Sequence, residues 1–143
     1  VKISAPRATL TTDAILSLLR AAIGRAQELD RRVWVAVADS AGAIVGLVGC
    51  DGAPRISRQV AQDKAFTAAA TGMPTRAWKE YLDGIPESER EIIARHDGFV
   101  AADGGFPIFD GELLAGAIGA SGANQEEDAE IARAGLRAIG LRG

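Results

Sequence analysis

At 143 residues, 48% apolar and 24% charged, the chain has ordinary globular composition and is long enough to bury roughly two thirds of its unfolded surface. Its formal net charge of −3, with arginines scattered among acids, leaves no basic face for nucleic acid. One cysteine, Cys50, allows no intrachain disulfide, and no apolar run is long enough to span a bilayer; Val1 to Thr12 lacks the apolar core of a signal peptide. The expectation is one cytoplasmic domain over residues 1–143, with neither nucleic acid nor membrane as partner.

Thr11 and Thr12 offer an N-cap, and Asp13 complements the helix dipole. Ile15, Leu18, Leu19, Ala22, Ile23, Ala26 and Leu29 then recur at helical spacing, while Arg20, Arg25, Gln27 and Glu28 fall off that stripe. Val33–Ala38 reads as a buried strand, Asp39-Ser40-Ala41-Gly42 as a turn, and Ala43–Gly49 as its hairpin partner. After Asp51-Gly52-Ala53-Pro54, Ser57 is placed to cap a second helix ending near Thr71, with Gly72 as a left-handed stop. That helix is rich in alanine, which permits close approach to a sheet or to another subunit.

Pro74–Leu82 reads as a short helix closed by Asp83-Gly84. Ser88-Glu89-Arg90-Glu91 gives a capping-box pattern, with Pro86 as the alternative helix start. Phe106–Phe109 and Glu112–Ala120 flank Asp110-Gly111, a two-residue hairpin signal. Asn124 with Glu127 resembles a cap for a last helix whose inner face carries Ile131, Ala132, Gly135 and Ile139. Hairpins without βαβ alternation predict an antiparallel sheet with packed helices, an α+β domain.

Asp51-Gly52-Ala53, Asp63-Lys64-Ala65-Phe66-Thr67-Ala68, Gly72-Met73-Pro74, Gly104-Gly105-Phe106-Pro107-Ile108 and Gly119-Ala120-Ser121-Gly122 followed by Asp128 resemble the GlcG/HbpS family, from about Val33 to Gly140. The resemblance implies a profilin-like sandwich around a central antiparallel sheet, and assembly into homo-oligomers. It makes haem a candidate ligand, because members include a haem-binding sensor partner beside a glycolate-operon protein and a domain attached to a corrinoid adenosyltransferase. Function across such a family is not settled by fold. The family's histidine-ligated member carries its haem ligand on the first helix, where this chain has no histidine from Thr11 to Asp30.

Lys64 shares a small, apolar helix face with Val60, Thr67, Ala68 and Thr71, so its ammonium needs an anionic partner. That partner is either a ligand carboxylate or oxyanion, or an acid of the chain such as Asp39 or Asp51. Ser121-Gly122 before the helix start at Asn124 offers unpaired amides to an anion, and the resemblance brings the Gly104-Gly105 amides alongside. Turn and capping chemistry is the alternative. Asp128 lies on the inward stripe of the last helix, where it can pair with Lys64, act as a general base or complement the dipole. His96, the only histidine, is a candidate haem ligand or proton carrier in a polar loop, or else a plain surface residue.

No zinc spacing, nucleotide-binding loop or nucleophile elbow occurs, so no metal site is expected. The leading expectation is a small-ligand-binding domain, for haem, another tetrapyrrole or an anionic metabolite, with Lys64, Gly104, Gly105, Ser121, Gly122, Asp128 and His96 as binding residues. The alternative is a cofactor-free enzyme on a small carboxylated or oxygenated metabolite, with Lys64 and Asp128 catalytic.

Overall fold

The computed structural model describes residues 1–143. The elements are α1 (Thr12–Glu28), β1 (Trp34–Asp39), β2 (Ile44–Gly49), α2 (Arg55–Thr71), α3 (Thr75–Asp83), α4 (Glu87–Ala94), β3 (Gly105–Asp110), β4 (Leu113–Ser121) and α5 (Gln125–Ala138). The strands form one antiparallel sheet in the order β2-β1-β4-β3. Helices pack on both of its faces, the α+β sandwich that the sequence predicts.

Local chemistry accounts for most element ends. Thr11 Oγ1 accepts the Ala14 N–H at 3.1 Å, and Gly72 stops α2 in the left-handed region at φ 68°. Asn124 and Glu127 close a full capping box at α5. Ser57 and Ser88 are not caps. Pro54 and Pro86 precede α2 and α4 in extended conformation, so each helix begins earlier and each serine falls inside the first turn. The second hairpin also turns one residue later than its Asp-Gly signal. A bulge between Ile108 and Phe109 shifts the register, so Asp110 pairs with Leu113 across Gly111 and Glu112.

Strand alternation divides the core in two. On one face Val35, Val37, Ile118 and Phe106 meet Leu18 of α1 and Ile131 and Leu136 of α5. On the other, Ala36, Ala38 and Ala117 meet Ala61, Ala65, Ala68 and Ala69 of α2. This second layer is almost all methyl groups, so α2 lies very close to the sheet. A Cβ on Gly119 would land on the Ala61 carbonyl and the Ala65 amide.

Candidate functional site

Lys64 projects from the sheet-facing side of α2, and Asp128 lies in the first turn of α5, on the opposite face of the sheet. Each is 2% exposed. They nevertheless meet: Lys64 Nζ donates to Asp128 Oδ2 at 3.0 Å and to the Ala120 carbonyl at 2.9 Å. The lysine can cross because the backbone along its path is bare. A Cβ on Gly104 (φ +121°) would sit 2.9 Å from Nζ and 3.1 Å from Asp128 Cβ, and one on Gly119 would sit 3.0 Å from Lys64 Cβ. Gly105 is equally confined, facing the Lys64 carbonyl and the Thr75 methyl at 2.6 Å each. The glycines thus form a gap through which an ion pair ties the two helix layers together.

The amides expected to greet a ligand are largely satisfied by the chain itself. Gly104 N–H donates to Asp103 Oδ1 at 2.8 Å and Gly105 N–H to Thr75 Oγ1 at 3.0 Å. Ala123 N–H donates to Asp128 Oδ1 at 2.9 Å, and the capping box takes the amides of Asn124 and Glu127. Gly122, at φ +141°, serves close packing, since a Cβ there would meet the Arg32 carbonyl at 2.5 Å. Ser121 ends β4 opposite Trp34 and is 7% exposed. Burial pushes the Asp128 carboxyl above the usual carboxylate range, partly offset by Lys64 and by the amides it accepts.

The structure therefore brings together Lys64, Gly104, Gly105, Ser121, Gly122 and Asp128, and leaves His96 outside. His96 is exposed in the turn after α4, and its side chain makes no hydrogen bond within the chain. Lys64 reaches neither Asp39 nor Asp51. Asp39 instead closes the β1–β2 turn by accepting the amides of Ala41 and Ala43. None of the five principal cavities is lined by the Lys64 cluster.

The largest cavity, of about 410 Å³, is an apolar groove between α1 and β2. Leu16, Leu19, Ile23 and Val48 wall it, Arg20 stands at its rim, and Gly24 opens its helix side. A Cβ on Gly24 would meet nothing within 4 Å, so this glycine leaves space rather than permitting contact. The sequence carried a signal for it, an isolated glycine in the middle of a helix. Arg20 read only as part of a solvated face. Thr75 and Asp103, which hold the glycine loop, carried no local signal at all. No group of three or more His, Cys, Asp and Glu side chains is close enough to hold a metal ion.

Residues 10–137 match the family model described as haem degrading protein HbpS-like. The chain belongs to the HbpS-like family. Its motifs resemble the same family, and its fold agrees with solved members. The chain is 28% identical to a double mutant of Streptomyces reticuli HbpS, with TM-score 0.85, covering 98% of this chain and 97% of that one. It is also 28% identical to the protein of the PduOC:heme complex, with TM-score 0.86 and coverage of 93% and 96%. Among curated relatives, the corrinoid adenosyltransferase PduO of Citrobacter freundii is 29% identical over 139 residues, which is 96% of this chain but 41% of that protein. The chain thus spans about two fifths of the length of the curated relatives it matches.

Proposed function

We propose that residues 1–143 act as one cytoplasmic small-ligand-binding domain that takes haem or another tetrapyrrole in the α1–β2 groove. The observation that carries this reading is the pairing of an apolar slot with a cation at its rim. A macrocycle gains by burying its faces against Leu16, Leu19, Ile23 and Val48, and Arg20 offers a propionate a charge-assisted hydrogen bond. Its likeness to the PduOC:heme complex supports the ligand class. No histidine, cysteine or methionine lines the groove, so the chain supplies iron with no strong axial ligand there. Haem bound this way would bring its own redox chemistry, while the protein buries and orients it. The Lys64–Asp128 pair lines no part of this groove and serves the scaffold, tying α2 to α5 across the sheet.

We further propose that the domain works as a homo-oligomer. Leu16 on α1 and Val45 and Val48 on β2 are 41–53% exposed around one sheet edge, where a second copy would cover both groove and edge. Pockets commonly form at such boundaries.

Haemin titration followed by visible absorbance tests the ligand. The expected result is a saturable Soret change that Gly24→Phe abolishes, that Arg20→Glu weakens about tenfold or more, and that His96→Ala leaves unchanged. Absence of a saturable change, or one indifferent to both groove variants, would sink the proposal.

A further inference from the structure

A second cavity, of about 320 Å³, lies between α3 and the start of α5 and has no hydrophobic lining. Its acids are Asp103, Glu80, Asp83 and Glu126, and its cations are Arg76 and Lys79. Most of these are exposed rim residues. Asp103 differs, for it is only 8% exposed. Its Oδ1 is fixed by the Gly104 N–H at 2.8 Å, and its own N–H donates to Gln125 Oε1 at 3.0 Å. Its Oδ2 has no partner in the chain.

Asp103 Oδ2 is not sealed from water but opens onto the cleft, where it is free to accept from a cationic donor. No cation of the chain supplies it. Arg76 reaches only Glu80, at 3.8 Å on the surface, and Lys79 makes no ion pair. Gln125 has spent its carbonyl oxygen on Asp103, which leaves its NH2 group as a donor facing the cleft. The inner end can therefore accept from a positive donor, whereas the rim sets Arg76, Lys79 and an amide among the acids Glu80, Asp83 and Glu126.

We propose that this cleft is a separate binding site for a small zwitterion of the amino-acid class. The ammonium donates to Asp103 Oδ2 at the inner end, and the carboxylate meets Arg76 and Lys79 at the rim. The volume suits a single small molecule, and the polar lining excludes a tetrapyrrole. Asp103, in the loop before β3, and the α3 cations supply opposite ends of the ligand's recognition, so a molecule with one charge gains only half of the contacts. The site shares no lining residue with the α1–β2 groove and stands independently of the haem reading.

The test is titration of the 143-residue chain with glycine, L-serine, L-glutamate and L-lysine, with methylammonium and acetate as half-molecule controls, followed by amide chemical shifts. Saturable shifts at Asp103, Gly104 and the first turn of α5 are expected with at least one amino acid at up to about 10 mM. Asp103→Asn, which retains the oxygen bound to Gly104, should weaken that binding tenfold or more. The rim variant Lys79→Ala, which carries no packing burden, should weaken it severalfold. No saturable shift with any amino acid would overturn the proposal. So would binding unchanged in both variants, or methylammonium binding as tightly as the amino acids, which would mark a plain cation site. Haemin binding unchanged in Asp103→Asn would confirm that the two sites are distinct.

Discussion

The Lys64–Asp128 pair has its two charges almost out of water, so its parts are worth very different amounts alone and together. Removing one partner strands the other, and a buried uncompensated charge costs about 3–5 kcal/mol. Lys64→Met is therefore expected to lower the urea midpoint sharply. The double variant Lys64→Met/Asp128→Leu should recover much of that loss, since two apolar side chains leave no charge behind. Two additive losses in the urea series would contradict the pair's role as a coupled unit. Acidity offers a second readout. Asp128 is raised above its unfolded value, so as pH falls the folded chain takes up that proton before the unfolded chain does. The associated cost is fully present at neutral pH and is relieved as pH drops through the raised value towards the ordinary carboxylate range. The stability of wild type minus that of Asp128→Asn should accordingly rise across that window. A difference that falls there would show that the ion pair outweighs burial. The sequence placed both residues on inward faces by spacing alone, but their joining across the sheet needed the fold.

At the scale of elements, α2 shows how composition becomes geometry. Its alanines and the facing Ala36, Ala38 and Ala117 bring helix and sheet so close that glycine is the only residue Gly119 can be. Gly119→Val should destabilise by about 3 kcal/mol or more, because the obstructing atoms are backbone and cannot swing aside. Gly24→Ala in α1 has the opposite sign. Nothing lies near its Cβ, and replacing a helical glycine should stabilise by about 1 kcal/mol in a denaturation curve. Comparable effects at the two sites would contradict this account of the packing. Every helix and hairpin was legible from periodicity, turn residues and caps. The discrepancies all had backbone causes. Pro54 and Pro86 preset the chain ahead of the serines that looked like caps, and one bulge displaced a turn by one residue.

For the whole molecule, the two edges of the sheet are unlike. β3 carries Pro107, which cannot donate a ladder hydrogen bond, whereas β2 runs Ile44-Val45-Gly46-Leu47-Val48-Gly49 without a charge or a proline. Natural sheets seldom leave such an edge uncovered, which is why a second copy is proposed there. Light scattering should show a species heavier than the monomer, reduced in mass by Val45→Lys. A monomer, or an assembly indifferent to that lysine, would remove β2 from the interface.

The sequence by itself determined what short-range physics controls. Hydrophobic spacing set the helices and strands, caps and glycines set most of their ends, and several motifs together marked the family. It also singled out Lys64, Asp128 and the glycines around them as one group. Only the tertiary structure decided what that group is: a trans-sheet ion pair threaded through a glycine gap, its amides already engaged. Lys64 and Asp128 are 64 residues apart, and no local pattern records which of several acids a buried lysine will reach. The half-paired carboxylate of Asp103 was hidden for the same reason, and the mid-helix Gly24 marked a place in α1 without showing the groove beside it. Empty space and missing partners are properties of packed neighbours, and neighbours exist only once the chain has folded.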